Sequence, residues 1–253
     1  MTRVIAFSAV LLYVFLHAPL LVLAAFSFNE GRFTVWEGFS IRWYAEAWQD
    51  ARLAEAAANS LWIAAAATLL ATVAGTLCAY GLWKRESKLL MTALSISLVT
   101  PEIVTGIALL ALFQWLFRYA GLQLGLHTVI LAHVSFCLAF VVLVVLARLR
   151  TMDAALEEAA MDLGAREWEA FLRVTLPNLL PAVLSAALLA FTISFDDYVI
   201  TSLVAGVDTE TLPMVLYAMA RRGGSPVVNA ISTVVVVLLG AGILIAEGLR
   251  NRT

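Results

Sequence analysis

The sequence predicts an all-α membrane protein with six transmembrane helices. Three observations carry this. The 253 residues are 62% hydrophobic and 13% charged, whereas soluble domains run nearer half apolar and a quarter charged. The mean hydropathy is +0.93. The apolar residues also fall in stretches long enough to cross a bilayer, which takes about 20 residues. The net charge of -2 points to no nucleic-acid partner, and no block of like charge forms a tail.

Taken in order, the predicted spans are Val4–Phe28, Ser60–Trp83, Leu89–Phe117, His127–Ala147, Ala182–Gly206 and Val228–Glu247. The first has a basic residue, Arg3, and the tripeptide Val22-Leu23-Ala24, which a signal peptide would also have. Its apolar run is long for a signal peptide, which favours an uncleaved span. On the second span Ala67, Ala71, Gly75 and Ala79 recur every four residues. Small residues at that spacing admit another helix backbone closely, either within the chain or from a second subunit. Pro101 breaks or kinks the third stretch. Asp196 and Asp197 interrupt the fifth. Cys78 and Cys137 lie in apolar runs without metal-ligand spacing and read as reduced packing residues. His17, His127 and His133 are isolated and read as packing or interface residues. Neither an internal repeat nor a low-complexity segment is visible, so residues 1–253 read as one membrane domain.

Six spans put both termini on one side. That side carries Lys84-Arg85-Glu86-Ser87-Lys88 in one short turn, together with Arg148, Arg150, Arg166, Arg173, Arg250 and Arg252. The other side spreads fewer basic residues over longer loops, so the first side is cytoplasmic. Loops 29–58 and 207–227 then face outward. The first holds Trp36, Phe39, Trp43, Tyr44 and Trp48, rings suited to the membrane interface or to an outside partner.

The loop at 148–177 is the most informative segment. Ala154–Leu163 is rich in helix formers. Leu156, Ala159, Ala160 and Leu163 lie at i, i+3, i+4 and i+7, on one helix face. Gly164 is placed to end the helix at positive φ. A second short helix carries Trp168, Phe171 and Leu172, and Pro177 starts a new direction into the next span. An amphipathic helix that lies on lipid prefers Lys and Arg on its polar face. This one carries Asp153, Glu157, Glu158, Asp162, Glu167 and Glu169, so a protein socket suits it better.

Glu158-Ala159-Ala160, three residues, Gly164, nine residues, Val174, one residue and Leu176-Pro177 together resemble the EAA loop of binding-protein-dependent ABC importer permeases. That family has Ile where Val174 stands. Shorter motifs extend the resemblance along the chain: Ser27-Phe28-Asn29, Trp43-Tyr44, Thr100-Pro101-Glu102-Ile103-Val104, Ser194-Phe195-Asp196-Asp197, Leu212-Pro213, Ser225-Pro226 and Asn229-Ala230. They are most similar to the second permease of spermidine/putrescine transporters.

The resemblance implies the type I ABC importer permease fold. It implies that Glu158, Ala159, Ala160, Gly164, Leu176 and Pro177 dock an ATPase. It further implies a second permease subunit, two ATP-binding subunits and an extracytoplasmic solute-binding protein, in a bacterial inner membrane. The chain has no Gly-x4-Gly-Lys-Ser/Thr phosphate loop. It is therefore expected to be non-catalytic and to hold no cofactor itself, with ATP and Mg on the partner ATPases.

Three carboxylates suit a polycation path. Asp196 lies roughly 21 Å along a helix counted from Ala182, in the outer half of the hydrocarbon, with Asp197 beside it. Glu102 follows Pro101 inside an apolar run. Acids at such depth need a cavity or a partner. Two readings stay open for them. They line a wet path for ammonium groups, or they cap helix ends and pair with Arg221 or Arg222 or with backbone freed by Pro101. A different small solute, such as an organic cation, an amino-acid derivative or ferric ion, is the alternative cargo. A secondary transporter that couples these acids to an ion is the alternative class.

Overall fold

A backbone N–H or C=O in hydrocarbon has no water to bond, so a chain of this composition closes its hydrogen bonds within helices. The computed structural model describes residues 2–32, 35–223 and 225–250, with backbone alone at 2–4, 243, 245–247, 249 and 250. Arg252, used above for orientation, lies outside the described residues. The helices are α1 Thr2–Phe26, α2 Arg42–Gln49, α3 Ala51–Lys84, α4 Lys88–Val99, α5 Glu102–Ala120, α6 Leu126–Leu149, α7 Ala155–Asp162 and α8 Glu167–Ala170. A π-helical turn at Phe171–Thr175 follows, then α9 Leu176–Asp196, α10 Val199–Val204, α11 Leu212–Arg221 and α12 Pro226–Arg250. Among the described residues, extended pairing is limited to a bridge between Asn29 and Phe39.

Five stretches are long and apolar enough to cross a membrane: Ile5–Phe26, Ala51–Lys84, Glu102–Ala120, Leu126–Leu149 and Glu167–Asp196. Lys88–Val99 and Pro226–Gly242 are shorter apolar stretches. The predicted last span, Val228–Glu247, falls inside α12.

Several boundaries differ from the sequence reading, and the second span starts at Ala51 rather than Ser60. Leu89–Phe117 is two helices rather than one, because Thr100 and Pro101 are extended, with ψ of 129° and 137°. Proline lacks an N–H and forces the residue before it out of the helical region. The fifth span starts at Leu176 rather than Ala182 and stops at Asp196, and Asp197 has ψ of 125°. Pro177 also fails to turn the chain. Helix α8, the π turn and α9 run on without a break, and Leu176 N–H donates to the Phe171 carbonyl five residues back. Proline has no N–H to donate, so the continuous run forgoes one backbone bond at Pro177, directly after the π turn.

The helices gather into two compact units: residues up to Ala56 with those from Val215 onward, and Ala57–Met214. In the first unit α1 and α2 pack on α12. The segment before α2 is tied by side chains. Asn29 accepts from Glu37 N–H at 2.8 Å through Oδ1 and donates to the Val35 carbonyl at 2.8 Å. Ser27 Oγ donates to the Ala24 carbonyl and meets Tyr44 Oη, both at 2.6 Å. Trp43, expected at the membrane interface or on a partner, is 2% exposed and donates its indole N–H to the Asn29 carbonyl at 2.7 Å. An indole buried this way is a packing residue with its polar group satisfied. Trp48 and Phe39 stay exposed.

In the second unit α6 is the central helix, packed against α4, α9 and α10. Its buried face, with Val141, Val145 and Leu149, meets the small-residue stripe of α3 in one core. Ala67, Ala71 and Ala79 are fully buried. A Cβ on Gly75 would stand 2.7 Å from Val141 Cγ1, so the stripe serves a contact within this chain. Cys137 and Cys78 are free thiols, and Cys137 Sγ donates to the Ala190 carbonyl at 3.6 Å.

These contacts predict opposite effects for two glycines of one helix. Gly75→Ala should cost about 1–3 kcal/mol through overpacking against Val141. Gly81→Ala has open space at its Cβ and should leave stability unchanged or raise it by about 1 kcal/mol. Thermal unfolding of the detergent-solubilised variants measures both.

Candidate functional site

The loop between α6 and α9 is built by local capping. Asp153 Oδ1 accepts from Ala155 N–H at 3.0 Å at the start of α7. At the other end Gly164 takes φ of 93°. There Ala165 N–H reaches the Ala160 carbonyl at 3.1 Å and Gly164 N–H the Met161 carbonyl at 2.9 Å. That bond pair is a Schellman ending, which needs positive φ at the glycine. Helix α8 restarts the chain, with Glu169 Oε2 accepting from Arg166 N–H at 2.9 Å.

Of the predicted docking residues, Glu158 and Ala159 are exposed on α7, Ala160 is half-buried, and Gly164 is exposed at the turn. Leu176 and Pro177 belong to the first turn of α9. The apolar side chains Leu156, Leu163, Trp168 and Leu172 are 50%, 90%, 57% and 48% exposed. The loop therefore turns an apolar face, with Glu158, away from its own chain.

The residue that faces inward is one the sequence reading treated only as acidic flank. Glu157 is 2% exposed. Its Oε1 receives the Tyr80 hydroxyl at 2.7 Å and pairs with Lys84 Nζ, and its Oε2 receives the Thr175 hydroxyl at 2.6 Å. Burial alone would push this carboxyl up. The hydrogen bonds from Lys84, Thr175 and Tyr80 and the Lys84 charge outweigh it and hold the carboxyl below the usual carboxylate range. The available signal was helical phase: the residue beside an exposed Glu158 points about 100° away from it.

At the far end of α9 lies the second cluster. Asp196 is exposed, and Asp197 is turned inward with 5% of its side chain exposed. Asp197 accepts from Ile200 N–H at 3.3 Å, Thr201 N–H at 2.7 Å and the Thr201 hydroxyl at 2.7 Å. It thereby caps the first turn of α10. His133 of α6 completes the cluster. Its Nε2 lies 3.3 Å from Asp197 Oδ2 and 2.9 Å from Thr201 Oγ1, and its Nδ1 lies 2.7 Å from Ser194 Oγ. With Nδ1 accepting from Ser194, an Nε2 proton is left for Asp197 and Thr201.

Hydroxyl, imidazole and carboxylate stand in a row here, but Ser194 and His133 are 3% and 1% exposed, so no substrate reaches the hydroxyl. The cluster is a staple across the break between α9 and α10. From the sequence His133 reads as an isolated packing or interface residue, because partners 61 and 68 residues away in sequence leave no local trace. Glu102 is the first residue of α5 and exposed. It lies one turn before Gly106, where α10 packs so closely that a Cβ would stand 2.6 Å from Leu203 Cδ1. Among the described residues no group of three His, Cys, Asp or Glu could hold a metal ion.

The staple predicts a contrast in stability. His133→Phe keeps a ring but leaves Asp197 and Ser194 short of a buried partner, and should cost about 1–3 kcal/mol. Asp196→Asn should leave the unfolding temperature of the same detergent-solubilised chain unchanged.

Comparison with known proteins places these features in a family. Residues 71–251 match the model of the binding-protein-dependent transport system inner membrane component. The chain is 42% identical over 235 residues to the putrescine transport system permease protein PotI of Escherichia coli K12, covering 90% of this chain and 84% of that protein. It is 39% identical over 239 residues to the spermidine/putrescine transport system permease protein PotC of Haemophilus influenzae, covering 93% and 91%. Among solved structures, a chain of a bacterial ABC transporter involved in import of the acidic polysaccharide alginate superposes with a TM-score of 0.80 at 15% identity. That match covers 99% of this chain and 95% of the other. A chain of the MetNI methionine ABC transporter gives 0.58 at 18% identity, over 81% and 97%. On the family match and the identity to these two permeases, the chain belongs to the inner membrane components of binding-protein-dependent transport systems.

Proposed function

We propose that this chain is the second permease of a polyamine importer. With another permease subunit it forms the membrane path for a small polycation of the putrescine or spermidine kind. Two ATP-binding subunits, which hold ATP and Mg, drive it, and an extracytoplasmic binding protein delivers the solute. Both termini and the loop at 148–177 face the cytoplasm. The single observation that carries the docking role is the exposed apolar face of that loop, ended by Gly164 at positive φ. The relatives named for putrescine and spermidine transport support the choice of cargo.

The chemistry fits this cargo. The 21 residues of α9 reach roughly 31 Å, about the thickness of the hydrocarbon, so Asp196 sits where the path opens outward. Asp196 and Glu102 are both exposed in this chain. A carboxylate facing a wet path attracts an ammonium group without enclosing it, which leaves release fast. Asp197 serves by holding the joint that presents Asp196.

Two variants test the two halves of this reading. Gly164→Val meets nothing within 4 Å at its Cβ, so its effect is backbone strain of about 1–3 kcal/mol. ATP-driven putrescine uptake by the reconstituted assembly should fall about tenfold while membrane insertion of the chain is kept; normal uptake would count against docking through this loop. Asp196→Asn should lower putrescine uptake and leave co-purification of the ATP-binding subunits intact. Unchanged uptake would take Asp196 out of the path.

A further inference from the structure

Three elements meet at the Glu157 carboxylate: α7, the end of α3 through Tyr80 and Lys84, and the π turn through Thr175. Around it the Tyr80 ring lies 4.6 Å from the Phe171 ring, and Lys84 Nζ stands 5.0 Å over Trp83. Glu158 beside it is exposed. Two adjacent glutamates thus point to different places, one away from the chain and one into it.

Stability alone is a poor reason for this arrangement, because a buried ion pair replaced by apolar side chains of like volume is often neutral or stabilising. What the cluster adds is direction. Apolar contacts between α7 and the bundle transmit a push and slide under a pull. A carboxylate with both oxygens occupied by donors resists displacement either way, since a shift of about 1 Å takes the hydrogen bonds out of range. The π turn ends at Thr175, a donor to Glu157. A π turn is a rare, wide turn found mostly at functional positions, and here it joins the docking loop to a span without a flexible linker.

We propose that Glu157 is the positioning residue that transmits movement of the docked helix α7 to α3 and α9, so that ATP-driven motion of the partner subunits reaches two spans at once. This rests on the permease reading above. Glu157 touches neither solute nor nucleotide and acts through Lys84, Tyr80 and Thr175.

The test uses the full assembly in proteoliposomes, with putrescine as the probe and both uptake and ATP hydrolysis recorded. In Glu157→Gln the ATP-binding subunits should still co-purify and hydrolyse ATP, while putrescine imported per ATP falls about fivefold or more. Thr175→Val, which removes one donor, should lower the same ratio less. An unchanged ratio in Glu157→Gln overturns the proposal. Loss of co-purification in both Glu157→Gln and Thr175→Val also overturns it, since the cluster would then serve assembly. Absence of ATP-driven putrescine uptake by the wild-type assembly sinks the permease reading and this proposal together; wild-type uptake with an equal ratio in the variant sinks this proposal alone.

Discussion

A helix that ends inside an apolar environment leaves backbone groups that must find partners, and this obligation governs where the chain is broken. At Asp196–Tyr198 the freed N–H groups of Ile200 and Thr201 are taken by Asp197, which is held by His133 from α6. At Thr100–Pro101 the missing proline N–H removes one obligation, and the Thr100 hydroxyl donates back to the Ile96 carbonyl at 2.7 Å. The Gly164 turn lies in the exposed loop rather than in an apolar environment, and it too closes its carbonyls, through the Schellman bonds. Each break carries its own polar repair, and the residues proposed for function stand beside the breaks.

The same rule explains why the two acidic pairs behave alike. Glu157 with Glu158, and Asp197 with Asp196, each consist of one carboxylate turned in and one turned out. The inward member is surrounded by donors and fixes a joint. The outward member is presented by that joint. Burial of the inward charge is tolerated because donors surround it, and removing one donor leaves the remainder of a buried set unsatisfied.

Much of this was legible in the sequence. The apolar stretches gave the first and fourth spans nearly to their ends and the second at its C-terminal end, because length and hydropathy are properties of one segment. Gly164 was legible because a helix end at positive φ favours glycine. The fracture at Pro101 was foreseen as a break or kink, although the stretch around it was counted as one span. The continuous run from Glu167 to Asp196 was missed, since Pro177 signals a turn unless a π turn and a helix start absorb it. The roles of Glu157, His133 and Trp43 were hidden for one reason. Each depends on partners at least 14 residues away, which a single sequence does not pair. For Asp196 and Asp197 the sequence leaves capping open, because which of the two caps α10 depends on the direction the chain takes after Asp196.

Docking of the 148–177 loop on an ATP-binding subunit is the claim on which the coupling rests, and proximity measures it directly. Leu163 is 90% exposed at the tip of the loop, beside the Gly164 turn. In the assembled transporter, a photo-reactive group attached at Leu163→Cys should cross-link to an ATP-binding subunit. Cross-linking to lipid alone, or labelling of that cysteine from the extracytoplasmic side by an impermeant reagent, would contradict it.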